Sequence, residues 1–164
     1  MNRSLGAILR PMVARRFPEL KRHRIAIEFG ELDRDTCFFY GWEAGRYLIT
    51  VSNCFRPAPR RVLEGGIAHE LSHILRDSRL GPWQRELAFG RYARSSAYRM
   101  RDERSTDLRQ IDRGYGPQLL AFLSYSKTMG FRFTSEHGLL RAEISRRLSV
   151  QKHARTAYNV ESSR

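Results

Sequence analysis

Apolar residues recur along this chain with two periods, and the switches between them mark out its elements. Leu5, Ile8, Leu9, Met12 and Val13 are three or four apart, which predicts an amphipathic helix over residues 3–16, kinked or divided by Pro11 and ended before Pro18. Between Arg24 and Leu32 the period drops to two (Ile25, Ile27, Phe29), the mark of a strand. Two more β-rich runs, Cys37–Trp42 and Tyr47–Ser52, flank Glu43-Ala44-Gly45-Arg46, a good hairpin loop. Arg56-Pro57-Ala58-Pro59 then breaks the strand and starts a helix expected from Pro59 to Asp77, with Leu63, Ile67, Leu71 and Ile74 as its core stripe. Gly65 and Gly66 fall inside it. Each costs about 1 kcal/mol against Ala, a cost that close approach of a neighbouring strand or a substrate backbone would explain.

The second half reads as helical. Residues 83–113 form one or two helices, and Arg113-Gly114-Tyr115-Gly116-Pro117 is a glycine stop followed by a proline start. Gln118–Met129 is a short apolar helix. Ser135–His153 is a last one, with Leu139, Leu140, Ile144 and Leu148 on one side. The fold expected is α+β: a small antiparallel sheet packed against the Pro59–Asp77 helix, then a mostly helical C-terminal half. With no linker or repeat, residues 1–164 read as a single domain, the polar stretch 155–164 being a disordered tail.

Composition changes this picture little, and charge changes it more. The net charge is +13, and all but three of the 30 basic residues are arginine, the lysines being Lys21, Lys127 and Lys152. An anionic partner such as nucleic acid is one reading. A solvated arginine-rich surface is the other, and the even spread of charge along the chain favours it. No stretch approaches the ~18–20 apolar residues of a membrane span. The first 17 residues are basic and lack acids, as transit peptides do, but their periodicity reads as a plain first helix. Cys37 and Cys54 fall nearly opposite each other if 37–54 is a hairpin. Free thiols in a reducing cytoplasm are expected rather than a bridge.

The chemistry concentrates in His69-Glu70-Leu71-Ser72-His73, an H-E-x-x-H sequence. Positions i and i+4 share a helix face, so both imidazoles can address one ion, with Glu70 beside them as general base for a bound water. A catalytic zinc needs a third protein ligand. The stripe Met100, Glu103, Asp107, Ile111 offers one: its apolar members turn it inward, and buried carboxylates require a positive partner. Glu103 would ligate, and Asp107, one turn on, would accept the second ring N–H of a ligand histidine. His137, in Ser135-Glu136-His137-Gly138, is an alternative third ligand. The insert Trp83–Met100 interleaves aromatics with arginines, as a lid, a substrate wall or ordinary amphipathic packing.

H-E-L-S-H followed by E-R-S-T-D resembles the gluzincin clan of zinc metallopeptidases, and within it small soluble relatives of the heat-shock and prenyl-protein endopeptidases. The resemblance implies one Zn2+ per chain on His69, His73 and Glu103, Glu70 as general base, Asp107 behind a ligand histidine, and hydrolysis of peptide bonds in a protein or peptide substrate. It implies His137 or Tyr115 as hydrogen-bond donor to the reacting carbonyl, with Arg113 competing. It also implies that Tyr47–Ser52, just before the motif helix, is an edge strand that binds substrate. His137-Gly138 together with the positive charge is also similar to the SprT-like proteases that act on DNA-crosslinked proteins. A regulatory or nucleic-acid-associated protein on the same scaffold is therefore the rival reading, and a purely structural zinc site, which has no use for Glu70, is a third.

Overall fold

A computed structural model describes residues 4–161, with side chains through His153. The chain is α+β, a three-stranded sheet followed by a mostly helical second half. Helix α1 (Leu5–Arg16) is one element with Pro11 inside it, and it buries Leu5, Ile8, Leu9 and Met12. Strands β1 (Ile25–Gly30), β2 (Phe38–Glu43) and β3 (Arg46–Ser52) follow. Ala44 and Gly45, with φ of 47° and 77°, make the two-residue turn whose twist suits a β2–β3 hairpin.

The sheet order is β1-β3-β2, and here the expected topology is corrected. Only β2 and β3 are antiparallel; β1 pairs with β3 in parallel, Ile25 opposite Tyr47 through Gly30 opposite Ser52. A period of two records which face of a strand is buried and is silent on the direction of its neighbour. The corollary concerns Tyr47–Ser52. This strand is central, hydrogen-bonded on both sides, and cannot be the edge strand that the family resemblance implied. The edge beside the motif helix belongs to β2.

Helix α2 (Arg60–Asp77) carries the motif and is the most buried element, with twelve buried residues from Val62 to Leu75. Its two glycines are explained by contact. A Cβ on Gly66 would stand 2.5 Å from the Phe38 ring of β2, and one on Gly65 would collide with the Gln118 carbonyl oxygen. The first glycine admits the sheet, and the second admits helix α5 (Gly116–Thr128). Phe38 in turn meets Phe55 and Phe122 edge-on, tying sheet and helices into one core.

The 83–113 region is two helices, α3 (Pro82–Arg94) and α4 (Ser96–Gln110). They part at Ser95, an extended residue whose hydroxyl accepts from the Tyr98 amide and caps α4. The last helix starts later than its apolar spacing suggests. Residues 135–137 form a short 3-10 turn, Gly138 takes φ 128°, and α6 runs from Arg141 to Glu161. Of the predicted tail, the backbone to Glu161 continues α6 and residues 162–164 lie outside the described residues. No helix among the described residues is long and apolar enough to cross a membrane. Cys37 and Cys54 are both free thiols. Burial pushes Cys37 up to about 12, which keeps it protonated and unreactive.

Candidate metal centre

Helices α2 and α4 bring three donor atoms to one point. His69 Nε2 and His73 Nε2 are 3.1 Å apart, and the Glu103 carboxylate lies 3.0 Å from the first and 3.4 Å from the second. Four tetrahedral ligands about 2.0–2.1 Å from a zinc ion are separated from one another by about 3.3 Å, so these spacings match the edge of such a tetrahedron. The three residues form a group that can hold a metal ion.

The outer ring nitrogens have polar partners of their own, which leaves the inner nitrogens to face one another and Glu103. His69 Nδ1 is 3.0 Å from Asp107 Oδ1, and a carboxylate can only accept, so Nδ1 carries a proton and Nε2 is a metal donor whenever the ring is neutral. His73 Nδ1 is in hydrogen-bond reach of Thr106 Oγ1 at 3.3 Å, with Asp102 Oδ2 further off at 3.6 Å. Two imidazole nitrogens and a carboxylate thus converge in a mostly buried space, where a metal ion or a proton on an imidazole can balance the carboxylate. Without a metal ion between them, a proton is the positive partner. Burial opposes a charge on His69, yet Asp107 and Glu103 hold its pKa well above the ordinary value. Burial would raise Glu103, and its bonds to His69 and His73 outweigh that and lower it. The donor set fits zinc, a borderline ion at home with imidazole and carboxylate.

Glu70 lies one residue along α2, 6% exposed, and no described residue donates a hydrogen bond to its carboxylate. Burial raises its pKa. Its charge interacts with those of His69, His73 and Glu103.

Comparison of the chain with protein-family models, curated proteins and solved structures finds no match. The site therefore rests on its own geometry.

The surroundings contain residues that spacing alone did not reveal. Tyr92, from the interleaved insert, donates to Glu103 Oε1 at 2.6 Å and fastens α3 to the ligand group. Tyr40 of β2 stacks on His73. Its hydroxyl donates to Asp77 Oδ2 at 2.7 Å and accepts from Arg76 at 3.2 Å, and Arg76 also pairs with Asp102. The only advance signal for Asp102 and Thr106 is that they flank Glu103 on the same inward helix.

His137 and Tyr115 sit elsewhere. His137 is exposed in the 3-10 turn; its Nδ1 accepts from the Thr134 amide at 3.2 Å, and its ring is edge-on to Phe133. Its neighbours reach the site instead: the Leu139 amide donates to Asp107 Oδ2 at 2.7 Å. Gly138 passes so close to that carboxylate that any Cβ would collide with it. Tyr115 is nearly buried and stacks on Phe17 on the α1 side of the core, with burial raising its pKa. Arg113 is bound to Glu19 and the Arg16 carbonyl. Among the described residues, the hydroxyls that bond members of the ligand group are those of Tyr92, on Glu103, and Thr106, on His73.

Proposed function

We propose that this protein is a zinc-dependent peptide-bond hydrolase of the gluzincin kind. The observation that carries the reading is the convergence of the His69, His73 and Glu103 donor atoms, with the Glu70 carboxylate free of partners beside them. A structural site would be closed by a fourth protein ligand and would gain nothing from an unengaged carboxylate.

Held there, zinc would polarise a water and lower its pKa toward neutrality. Glu70 accepts a proton from the attacking water and returns it to the leaving nitrogen. Asp107 holds a proton on His69 Nδ1, which leaves Nε2 for the metal; Thr106 faces the corresponding nitrogen of His73. Tyr92 holds Glu103 in register. The free edge of β2, whose Tyr40 covers His73, offers an extended polypeptide a strand to pair with.

The test is hydrolysis of an unbiased peptide mixture by zinc-loaded protein, read by mass spectrometry. Cleavage is expected from the wild type and is lost in Glu70→Gln, which retains the metal. Equal cleavage by both proteins would refute the role of Glu70.

A further inference from the structure

Two elements pass the ligand group and meet again beyond it. Strand β2 passes at Tyr40, on His73, and α3 passes at Tyr92, on Glu103. Two residues along β2, on the same face as Tyr40, stands Trp42. Seven residues back along α3, about 10 Å at 1.5 Å per residue, stands Arg85. The Arg85 guanidinium lies over the Trp42 ring, 5.0 Å from its centroid. Both residues lie at Tyr47: Trp42 packs edge-on against it at 4.7 Å, and the Arg85 charge acts on its phenol, opposing the effect of burial. The Trp42–Arg85 pair is thus where β2 and α3 meet beyond the ligand group.

Many arginines among the described residues lack an acidic partner, but of these only Arg85 and Arg56 are held over an aromatic ring. Arg76, Arg99, Arg104, Arg113 and Arg147 each pair with an acidic side chain. Arg85 has no acidic partner among the described residues. It is held in place by an aromatic face, which orients a guanidinium without neutralising it. Trp42 keeps 53% of its surface exposed beneath it. A fixed, unneutralised guanidinium beside an open indole, at the end of a strand edge, is built to take a carboxylate.

We propose that Trp42 and Arg85 form a specificity subsite for an acidic side chain of an extended polypeptide, about three residues from the bond at the ligand group at about 3.4 Å per residue. The subsite deepens the hydrolase reading and rests on it for the direction in which the polypeptide runs. A polypeptide is favoured over a nucleic acid because the pair continues a free strand edge, where backbone pairing is available to a peptide alone.

Binding tests this separately from cleavage. The chain has two tryptophans, so Trp83→Phe leaves Trp42 as sole reporter. In that background, with Glu70→Gln to prevent turnover and zinc present, peptide pools carrying one fixed Glu or Gln are titrated against Trp42 fluorescence. The Glu pool is expected to bind roughly ten-fold more tightly, as one charge-assisted hydrogen bond provides. Arg85→Ala should abolish that preference with zinc content unchanged, and Arg85→Glu should turn it toward a Lys pool. Equal binding of Glu and Gln pools, no binding of either, a preference surviving Arg85→Ala, or an Arg85-dependent oligonucleotide binding tighter than the peptides would each overturn the subsite. A retained Glu preference in a protein that cuts nothing would instead overturn the hydrolase reading and leave the subsite standing.

Discussion

The phenol ring of Tyr40 lies flat on the imidazole of His73, with centroids 5.5 Å apart and planes 14° apart. The stack is one side of a closed ring of contacts. Tyr40 is bonded to Asp77 and Arg76, Arg76 to Asp102, and Asp102 Oδ2, which has no hydrogen-bond partner of its own, faces His73 Nδ1. A strand is thereby clamped to the C-terminal turns of the motif helix, and one histidine is fixed from two directions.

Arg76 is the cation of that ring, and it stands between two carboxylates. Arg76→Ala leaves Asp77 and Asp102 charged and mostly buried with nothing between them. Breaking a buried pair by removing one partner costs about 3 kcal/mol or more. Chemical denaturation should show a loss of that order, whereas Tyr40→Phe, which keeps the ring and loses only the hydroxyl, should cost about 1 kcal/mol.

Asp107 serves two masters, the His69 ring on one oxygen and the Leu139 amide on the other. Asp107→Ala should lower zinc affinity by about 10–100-fold and also speed hydrogen exchange at the Leu139 amide. Gly138→Ala should damage the same joint from the other side, since it adds both a Cβ against the carboxylate and an L residue at φ 128°. Zinc titration and amide exchange on both variants read the two effects.

In an open helix, Gly→Ala gains up to about 1 kcal/mol. At Gly66 the sign should reverse, because the new methyl meets the Phe38 ring at 2.5 Å. Gly66→Ala is expected to destabilise by about 1–3 kcal/mol in denaturant melts, with partial recovery when Phe38 is shortened to Leu.

Glu143 gives a pH prediction outside the ligand group. Its bonds from Arg104 and the Leu140 amide hold it at about 2 instead of its ordinary 4.5. A carboxyl lowered by folding stabilises fully above its unfolded value and loses that contribution as pH falls through its folded one. The wild type should therefore lose stability relative to Glu143→Gln between about pH 4.5 and about 2, and the two should run parallel above that window. Thermal melts across the range read the difference.

What could be read from the sequence follows from what spacing encodes. His69, His73, Glu103 and Asp107 were legible because each pair is separated by whole helical turns on an apolar stripe, and the structure brings the first three together. The hairpin was legible in Ala44-Gly45, and the glycines of α2 in their cost. Pairing across the fold was not. Nothing in the period of Ile25, Ile27 and Phe29 distinguishes a parallel from an antiparallel neighbour, so the central place of β3 was missed, and with it the edge position of β2. Tyr40 and Tyr92 looked like a strand aromatic and an insert aromatic. Only the packing of β2 and α3 against α2 and α4 brings them to His73 and Glu103. Conversely, His137 carried a motif-like glycine, but it is Gly138 and Leu139 that meet Asp107.

Zinc stoichiometry tests the central claim most directly. Equilibrium dialysis of the purified chain, with metal measured by mass spectrometry, should give one zinc per chain in the wild type and in Glu70→Gln. It should give a large loss in His73→Ala and in Glu103→Ala, with all four proteins folded by circular dichroism. A folded wild type that takes up no zinc, or zinc retained undiminished in both ligand variants, would contradict it.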